Sequence, residues 1–234
     1  GASEAGLLSA AHRLPSILTI FTGIFMQAWK LSAIKEFESE SSQRFFSKML
    51  NLYNSLLIFA GSLVIIFIKP ISSLVFKGDF STAWYLVPLF ILGFVINGVS
   101  AFLGTFYIAN KNTKSLMTST LIGSVISVSL TYILIGRIGT IGTGISVVIS
   151  YLTISIIRIV QVKKKISLDL EFKRIIPSYL LLITLTAVVT VDMEYAYIIA
   201  TVILIILVYL NRSHIISIMN AGISFIKKTF NKKL

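Results

Sequence analysis

One stretch of the chain, AAHRLPSILTIF at residues 10–21, carries a charged side chain at the head of a long apolar run. Arg13 lies about nine residues after Glu4, which is roughly 13 Å along a helix. In a membrane span, a central arginine costs about 2.5–3.5 kcal/mol on insertion scales and usually faces a bundle interior or a wet cavity. Arg13 is therefore predicted to line a polar cavity, unless its long stem snorkels to the membrane surface.

Two neighbours of Arg13 bear on the same prediction. His12 is explained more simply as a neutral ring packed near the membrane interface than as a ligand of a bound group. Pro15 removes one backbone donor and leaves the carbonyl of Ala11 without its usual partner, so a kink beside Arg13 is expected. Kinked helices with freed backbone groups are common where a membrane protein lines a cavity.

The remaining residues offer little catalytic chemistry. His12 and His214 are far apart, and the sequence has no metal-binding histidine pair, no nucleophile elbow and no glycine-rich phosphate loop ahead of a soluble helix. A tight turn between two spans explains the glycines of GRIGTIGTG at 136–144. The chain is accordingly predicted not to be an enzyme, with no metal site and no cofactor.

The elements that must position these residues are apolar helices. Hydrophobic residues make up 56% of the chain and charged residues 13%, against about 25% charged residues in an ordinary globular protein. A hydrocarbon core about 30 Å thick needs roughly 20 apolar helical residues, and such runs follow one another here. The net charge of +12 falls in short clusters between them, which membrane topology explains better than nucleic-acid binding. The composition predicts an all-α polytopic membrane protein.

Seven spans are predicted from hydropathy, at 5–28, 50–68, 83–107, 116–135, 141–160, 175–191 and 195–210. Lysines and arginines concentrate in alternate connections, which places those connections and the C-terminus in the cytoplasm and the N-terminus outside. Trp84 and Tyr85 are expected at the outer interface, and Trp29, Tyr107 and Tyr209 at the inner one. Because the first apolar run begins almost at residue 5 with no initiator methionine, the chain is expected to start within a longer protein.

Small residues recur at four-residue intervals in two adjacent spans. Such spacing allows close approach of helix backbones, and packing is favoured over a polar path for a substrate. The positions are Ser119, Gly123, Ser127 and Thr131 in one span and Gly142, Ser146 and Ser150 in the next.

Two further segments have amphipathic patterns. Glu40, Arg44 and Lys48 recur at four-residue spacing and predict the solvated face of a cytoplasmic helix. Residues 212–234 combine an apolar stripe with a lysine-rich end and predict a basic interfacial helix attracted to anionic lipid.

The segment AAHRLPSILTIFTGIFMQAWKLSAIKEFE resembles the eighth helix and the following cytoplasmic segment of Wzx-type oligosaccharide repeat-unit flippases. These belong to the polysaccharide-transporter branch of the multidrug/oligosaccharidyl-lipid/polysaccharide exporter superfamily. The turn GRIGTIGTGIS is similar to the hairpin between their eleventh and twelfth helices. The resemblance divides the chain into core helices of a C-terminal lobe (1–165), two additional C-terminal helices (166–211) and the interfacial helix (212–234).

The resemblance implies a 14-helix transporter with two lobes around a central cavity. It would move undecaprenyl-pyrophosphate-linked oligosaccharides across the bacterial inner membrane, with membrane lipids and an N-terminal half of seven helices as partners. In the related lipid II flippases a motif Ala-Asp-Arg-Leu carries a cavity arginine, and Ala11, His12, Arg13 and Leu14 match it here. Arg13 and His12 are thus implied to bind the pyrophosphate, with His12 replacing the acidic residue.

Two other functions are weighed against a flippase. A multidrug extruder of the same superfamily exchanges cations at membrane-embedded carboxylates, and no carboxylate lies in mid-span here. A membrane-embedded polysaccharide polymerase or glycosyltransferase needs a catalytic surface, usually on a large loop, whereas the outer connections are short.

Overall fold

The computed structural model describes residues 2–36, 42–75, 78–192 and 194–230, and within them every regular element is helical. This confirms the all-α class predicted from composition. The helices are α1 (Ala2–Glu36), α2 (Ser42–Ile66), α3 (Ile68–Val75), a 3₁₀ helix (Gly78–Tyr85), α4 (Val87–Ala109), α5 (Thr113–Ile138), α6 (Thr140–Lys163), α7 (Phe172–Val191) and α8 (Ala196–Phe230).

Six helices in the described part of the chain, α2 and α4 to α8, are long and apolar enough to cross a membrane. The chain is therefore a multi-pass membrane protein. The first predicted span, 5–28, lies inside the single helix α1, which is not among the six. Its helical state is confirmed, and its crossing of the membrane stays a prediction.

The C-terminal helices differ from the predicted boundaries. Helix α7 begins at Phe172, three residues before the predicted start. Helix α8 runs without interruption from Ala196 to Phe230, so the predicted interfacial helix at 212–234 continues the last span as far as residue 230. Residues 231–234 lie outside the described residues. Location of this segment on the membrane surface stays a prediction.

Local backbone chemistry explains two of the turns. Asn112 precedes α5, and its side-chain oxygen accepts a hydrogen bond from the backbone N–H of Ser115, as N-terminal caps do. Gly139 joins α5 to α6 with a φ of +62°, a backbone conformation that glycine adopts without steric cost. The glycine-rich stretch is thus the tight turn that the sequence predicts.

Helix α4 lies at the centre of the bundle and is buried along most of its length. Helices α1, α2, α6 and α7 pack around it, α5 packs mainly on α6, and α8 packs on α2 and α7. The outer face of α5 is almost wholly exposed and apolar. In a membrane protein such a face is suited to contact with lipid.

The α5–α6 contact confirms the predicted packing of small residues. Ser150 donates a hydrogen bond to the carbonyl of Gly123 at 2.7 Å, a distance that requires the two helices to approach closely. A Cβ added at Gly123 would lie 2.3 Å from Ile154. Ser146 donates to the carbonyl of Gly142 in its own helix, so its hydroxyl is not free to line a path.

Two aromatic side chains predicted at the inner membrane interface are buried in the bundle, and their depth in the membrane stays a prediction. Trp29 and Tyr107, predicted at the inner membrane interface, are 3% and 2% exposed and belong to the core. Hydropathy cannot separate a lipid-facing ring from a protein-facing one, since both surroundings are apolar. By contrast, Arg44 and Lys48 are exposed on α2 as predicted, and Glu40 lies outside the described residues.

Candidate functional site

Arg13 lies on the face of α1 that points away from the helix bundle. Its neighbours Ala11 and Leu14 are 0% and 4% exposed, whereas Arg13 itself is exposed. Among the described residues no acceptor binds its guanidinium and no carboxylate pairs with it. The hydroxyl of Ser16 donates to the backbone carbonyl of Arg13 at 2.5 Å and is thereby occupied. The side chain is therefore available to a group outside this chain.

His12 is in contact with the bundle through one face of its ring. The centroids of the His12 and Phe90 rings are 5.0 Å apart with their planes tilted by 60°. This contact joins α1 to the central helix α4, and it agrees with the interpretation of His12 as a packed ring. The histidine is nevertheless exposed, so it can contact a ligand bound by Arg13.

Pro15 is buried inside α1, which remains helical on both sides of it. The kink predicted at this position stays a prediction. Pro15, which has no backbone N–H to donate, lies two residues after Arg13 and on the buried side of the helix.

Further along α1, an aromatic cluster fixes the helix to its neighbours. Trp29 donates from Nε1 to the hydroxyl of Thr105 on α4 at 3.0 Å, within the core. Its ring stacks on Phe102, with centroids 4.6 Å apart. Phe25 stacks on Tyr53 of α2 at 4.7 Å. These contacts hold α1 against α2 and α4 and so determine which face carries Arg13.

Sequence reasoning missed a polar network at one end of the bundle. We call this the basic end; it contains the start of α2, the α4–α5 turn and the α6–α7 connection, which together carry seven lysines. At its centre Arg174, 9% exposed, donates to Glu171 at 2.7 Å and to the side chain of Asn211 at 2.5 Å. It also donates to Ser55 and, at 3.3 Å, to the side chain of Asn51. One guanidinium thus joins α2, α7 and α8.

The carboxylate of Glu171 is shared between two cationic partners. Its Oε2 lies 2.7 Å from Nε of Arg174 and 3.0 Å from Nε2 of His214. Partial burial acts to raise the pKa of Glu171, but the hydrogen bonds from His214 and Arg174 outweigh it and hold that pKa below its ordinary value. The group is therefore ionised at neutral pH.

Amide side chains complete the network. Asn211 donates from Nδ2 to the hydroxyl of Ser178 at 3.0 Å and to the carbonyl of Leu207 at 2.9 Å. Tyr179 donates from its hydroxyl to the side chain of Asn54 at 2.8 Å. Every polar group named here has a partner inside the protein, as expected of a network that stabilises helix packing.

A second buried arginine has only neutral partners in the described part of the chain. Arg158, 6% exposed, donates to the hydroxyls of Ser119 at 3.0 Å and Thr120 at 2.9 Å, and to the carbonyl of Ser100 at 2.7 Å. It links α6 to α4 and α5. A sequence signal existed, because Arg158 interrupts the apolar run of the fifth predicted span just as Arg13 interrupts the first.

An open pocket of about 640 Å³ lies beside the network at the basic end. Arg44 and Lys48 line it from α2, and Asp169, Glu171 and His214 line it from the other side. Charges of both signs face the same space, so the pocket has no single complementary ligand. Among the described residues, no three side chains that could ligate a metal ion lie together, in this pocket or outside it.

The opposite end of the bundle contains the α2–α3 junction, the α5–α6 turn and the α7–α8 connection. Lys69 and Asp192 form an ion pair there at 2.5 Å, and the ammonium of Lys69 lies 4.7 Å from the centroid of the Trp84 ring. Tyr85 and Thr140 share a hydrogen bond of 2.9 Å at the same end. The ion pair joins α3 to the end of α7, and the hydrogen bond joins the 3₁₀ helix to the start of α6.

Comparison of the chain with protein-family models, with curated proteins and with solved structures finds no match. The candidate site therefore has to be judged from its own geometry.

Proposed function

We propose that this chain forms one lobe of a two-lobed transporter that flips undecaprenyl-pyrophosphate-linked oligosaccharide units across the bacterial inner membrane. The units would supply a surface polysaccharide such as O-antigen, capsule or exopolysaccharide. The partners in the proposal are the lipid-linked sugar, the surrounding membrane lipids and a second lobe of seven helices. Its basis in sequence is the resemblance of residues 5–165 to the Wzx-type flippases.

The observation that carries the proposal is the contrast between Arg13 and the two buried arginines, Arg158 and Arg174. Arg158 and Arg174 are buried, and their guanidinium groups donate hydrogen bonds to other groups of this chain. Arg13 is exposed on α1 with its donors unused among the described residues. A guanidinium binds a phosphate through two parallel hydrogen bonds, so Arg13 is suited to hold one phosphate of a pyrophosphate that reaches it from a cavity between two lobes.

The chemistry of the rest of the bundle favours this ligand over a cation. Among the described residues, Glu171 is bound to Arg174 and His214 at one end of the bundle, and Asp192 is bound to Lys69 at the other. An extruder that exchanges cations needs a carboxylate within the spans. A cavity wall that carries a positive charge is complementary to an anionic lipid, and it would repel a cation.

The proposal predicts that Arg13→Ala in the full-length protein abolishes export without reducing the amount of protein in the membrane. Loss of a bidentate, partly desolvated contact is worth about 2–4 kcal/mol, or roughly 30- to 1000-fold in affinity. Arg13→Lys keeps the charge without the planar fork and should be intermediate. The measurement is surface polysaccharide per molecule of transporter in cells that lack the native flippase.

Arg137→Ala is the matched control, because Arg137 is also exposed but lies on a different helix, in the last turn of α5. It should leave export unchanged. Unchanged export per molecule in Arg13→Ala, or an equal loss in Arg137→Ala, would contradict a pyrophosphate-binding role and favour an interfacial anchor.

The proposal also predicts which end of the helix bundle faces the cytoplasm. Lysines concentrate at the basic end, so the positive-inside rule assigns that end to the cytoplasm. Helix α8 begins at the opposite end of the bundle, so its C-terminal end is assigned to the cytoplasm as well. Reporter fusions after Lys111, in the α4–α5 turn, and after Leu234 should be active only with a cytoplasmic reporter. Activity of a periplasmic reporter at either position would overturn this orientation.

A further inference from the structure

An apolar groove of about 320 Å³ opens on the side of the bundle between α6 and α7. Its floor comes from α2 and α4, through residues such as Leu50, Ile96 and Val99, and its walls include Ile156 of α6 and Ile176 of α7. The two wall helices pack on α4 rather than on each other, which leaves the groove open laterally.

The polar residues that line the groove turn their polar atoms inward. Asn54 accepts from the hydroxyl of Tyr179 at 2.8 Å, and Ser155 donates to the carbonyl of Ile96 at 3.1 Å. The side-chain oxygens of Asn54, Tyr179 and Ser155 therefore have partners within the protein, and the other residues that line the groove present hydrocarbon to its occupant. Water has no partners in such a site, whereas an alkyl chain restores the packing contacts that an unfilled groove lacks.

The length of the groove matches one leaflet of a bilayer. Its lining along α7 runs from Phe172 to Ile183, which is about 16 Å of helix. Half of a hydrocarbon core roughly 30 Å thick is nearly the same. Both walls are spans with exposed apolar side chains, among them Ile156 at 58% and Ile176 at 54%. A lipid chain in the leaflet beside the basic end can thus enter from the side.

The mouth of the groove is positively charged. Phe172 lines it at the basic end, and the ammonium of Lys163 lies 4.4 Å from the centroid of that ring. Between residues 163 and 174 the chain has five basic and two acidic residues. One acidic residue, Glu171, is held by Arg174 and His214. A phosphate above the groove would therefore meet an excess of positive charge.

We propose that the groove between α6 and α7 binds an anionic phospholipid, with one acyl chain along the groove and its phosphate beside Lys163. The site is separate from Arg13 and does not depend on the transported substrate. The lipid fills the gap between two helices that otherwise meet only through α4, and it fixes α7 beside the core of the bundle.

The test is lipid binding by the full-length protein in detergent, measured by native mass spectrometry with added phosphatidylglycerol or phosphatidylcholine. Phosphatidylglycerol should bind more tightly. Lys163→Gln should weaken its binding about fivefold, the value expected for one lysine at an anionic surface, and should not change the binding of phosphatidylcholine. Lys114→Gln, at an exposed lysine in the first turn of α5, is the matched control and should have no effect.

A second pair of variants tests the chain-binding part of the site. Ile156→Trp narrows the groove and should remove most of the bound phosphatidylglycerol, while Ile133→Trp places the same ring on the exposed face of α5 and should not. Equal binding by these two variants, no preference for phosphatidylglycerol, or tighter binding of a polyprenyl phosphate at the groove would each overturn the proposal. Because export is not measured, failure here is distinguishable from failure of the flippase proposal.

Discussion

The two buried arginines should differ in how much stability is lost when each is replaced by methionine, which has a similar length and no charge. Removal of Arg174 leaves acceptors without donors. The side-chain oxygen of Asn211 is 1% exposed and loses its hydrogen bond from Arg174, and Asn51 loses a donor as well. Each unsatisfied buried acceptor costs about 1–3 kcal/mol. We expect Arg174→Met to lower the free energy of unfolding by about 2–4 kcal/mol.

The ion pair with Glu171 adds little to that figure. The carboxylate of Glu171 is 42% exposed and keeps its contact with His214, so water and the histidine compensate for the lost guanidinium. The cost comes from the amide oxygens inside the bundle. Arg174→Lys should be intermediate, because one ammonium cannot reach the acceptors on α2, α7 and α8 together.

Removal of Arg158 leaves fewer buried polar groups without a hydrogen-bond partner. The hydroxyls of Ser119 and Thr120 both donate to the carbonyl of Leu116 in their own helix, at 2.9 and 3.0 Å. They therefore keep a partner when the guanidinium is absent. Arg158 also lacks an acidic partner in the described residues, so its replacement ends the cost of keeping a cation out of water. We expect Arg158→Met to change the free energy of unfolding by no more than about 1 kcal/mol, in either direction.

The measurement is equilibrium unfolding of the full-length protein and the two methionine variants in mixed detergent micelles, followed by far-ultraviolet circular dichroism. The reasoning depends on orphaned acceptors rather than on the number of bonds that each arginine makes. Equal destabilisation by Arg158→Met and Arg174→Met, or a larger effect at Arg158, would refute it.

Two further predictions concern packing and pH. Gly123→Ala should lower the free energy of unfolding by about 1–3 kcal/mol, because its Cβ would lie 2.3 Å from Ile154, while Gly136→Ala, with nothing within 4 Å, should be neutral or slightly stabilising; the same unfolding assay compares them. Since the folded pKa of Glu171 is lowered from 4.5, its contribution is present above that pH and is lost as the pH falls through the folded value. The stability difference between the wild type and Glu171→Gln should therefore be constant well above pH 4.5 and shrink as the pH falls below 4.5, and a difference that grows on acidification would contradict the assignment.

Sequence alone was sufficient for the elements that depend on local pattern. Apolar runs of spanning length predicted the six helices, because a helix in lipid must satisfy its backbone within itself and needs no tertiary partner to form. The glycine-rich turn at Gly139 and the contact of Gly123 with Ser150 were predictable for the same reason, since small residues at fixed spacing act locally. The uninterrupted α8 was not predicted, although the polar residues at 211–214 include neither proline nor glycine to end a helix.

What required the structure is the partner of each polar side chain. Arg174 binds Ser55, which lies 119 residues earlier, and Trp29 binds Thr105, 76 residues later. Hydropathy assigns Arg174 to a connection and Trp29 to an interface, because it gives the depth of a residue along its own helix and nothing about which helix is adjacent. The burial of both residues follows from the packing order around α4.

Arg13 and Arg158 have similar positions in the sequence and different surroundings in the structure. A charge in an apolar run is common to Arg13 and Arg158, so this criterion alone does not separate a ligand-binding arginine from a structural one. The distinction lies in the neighbouring helix. Arg158 faces Ser119 and Thr120 of α5, whereas Arg13 points away from the bundle and its neighbour His12 contacts the ring of Phe90. Hydroxyl acceptors at the depth of Arg158 hold its guanidinium within the protein, and Arg13 has no such acceptor among the described residues, which is why Arg13 and not Arg158 is proposed to bind an anion.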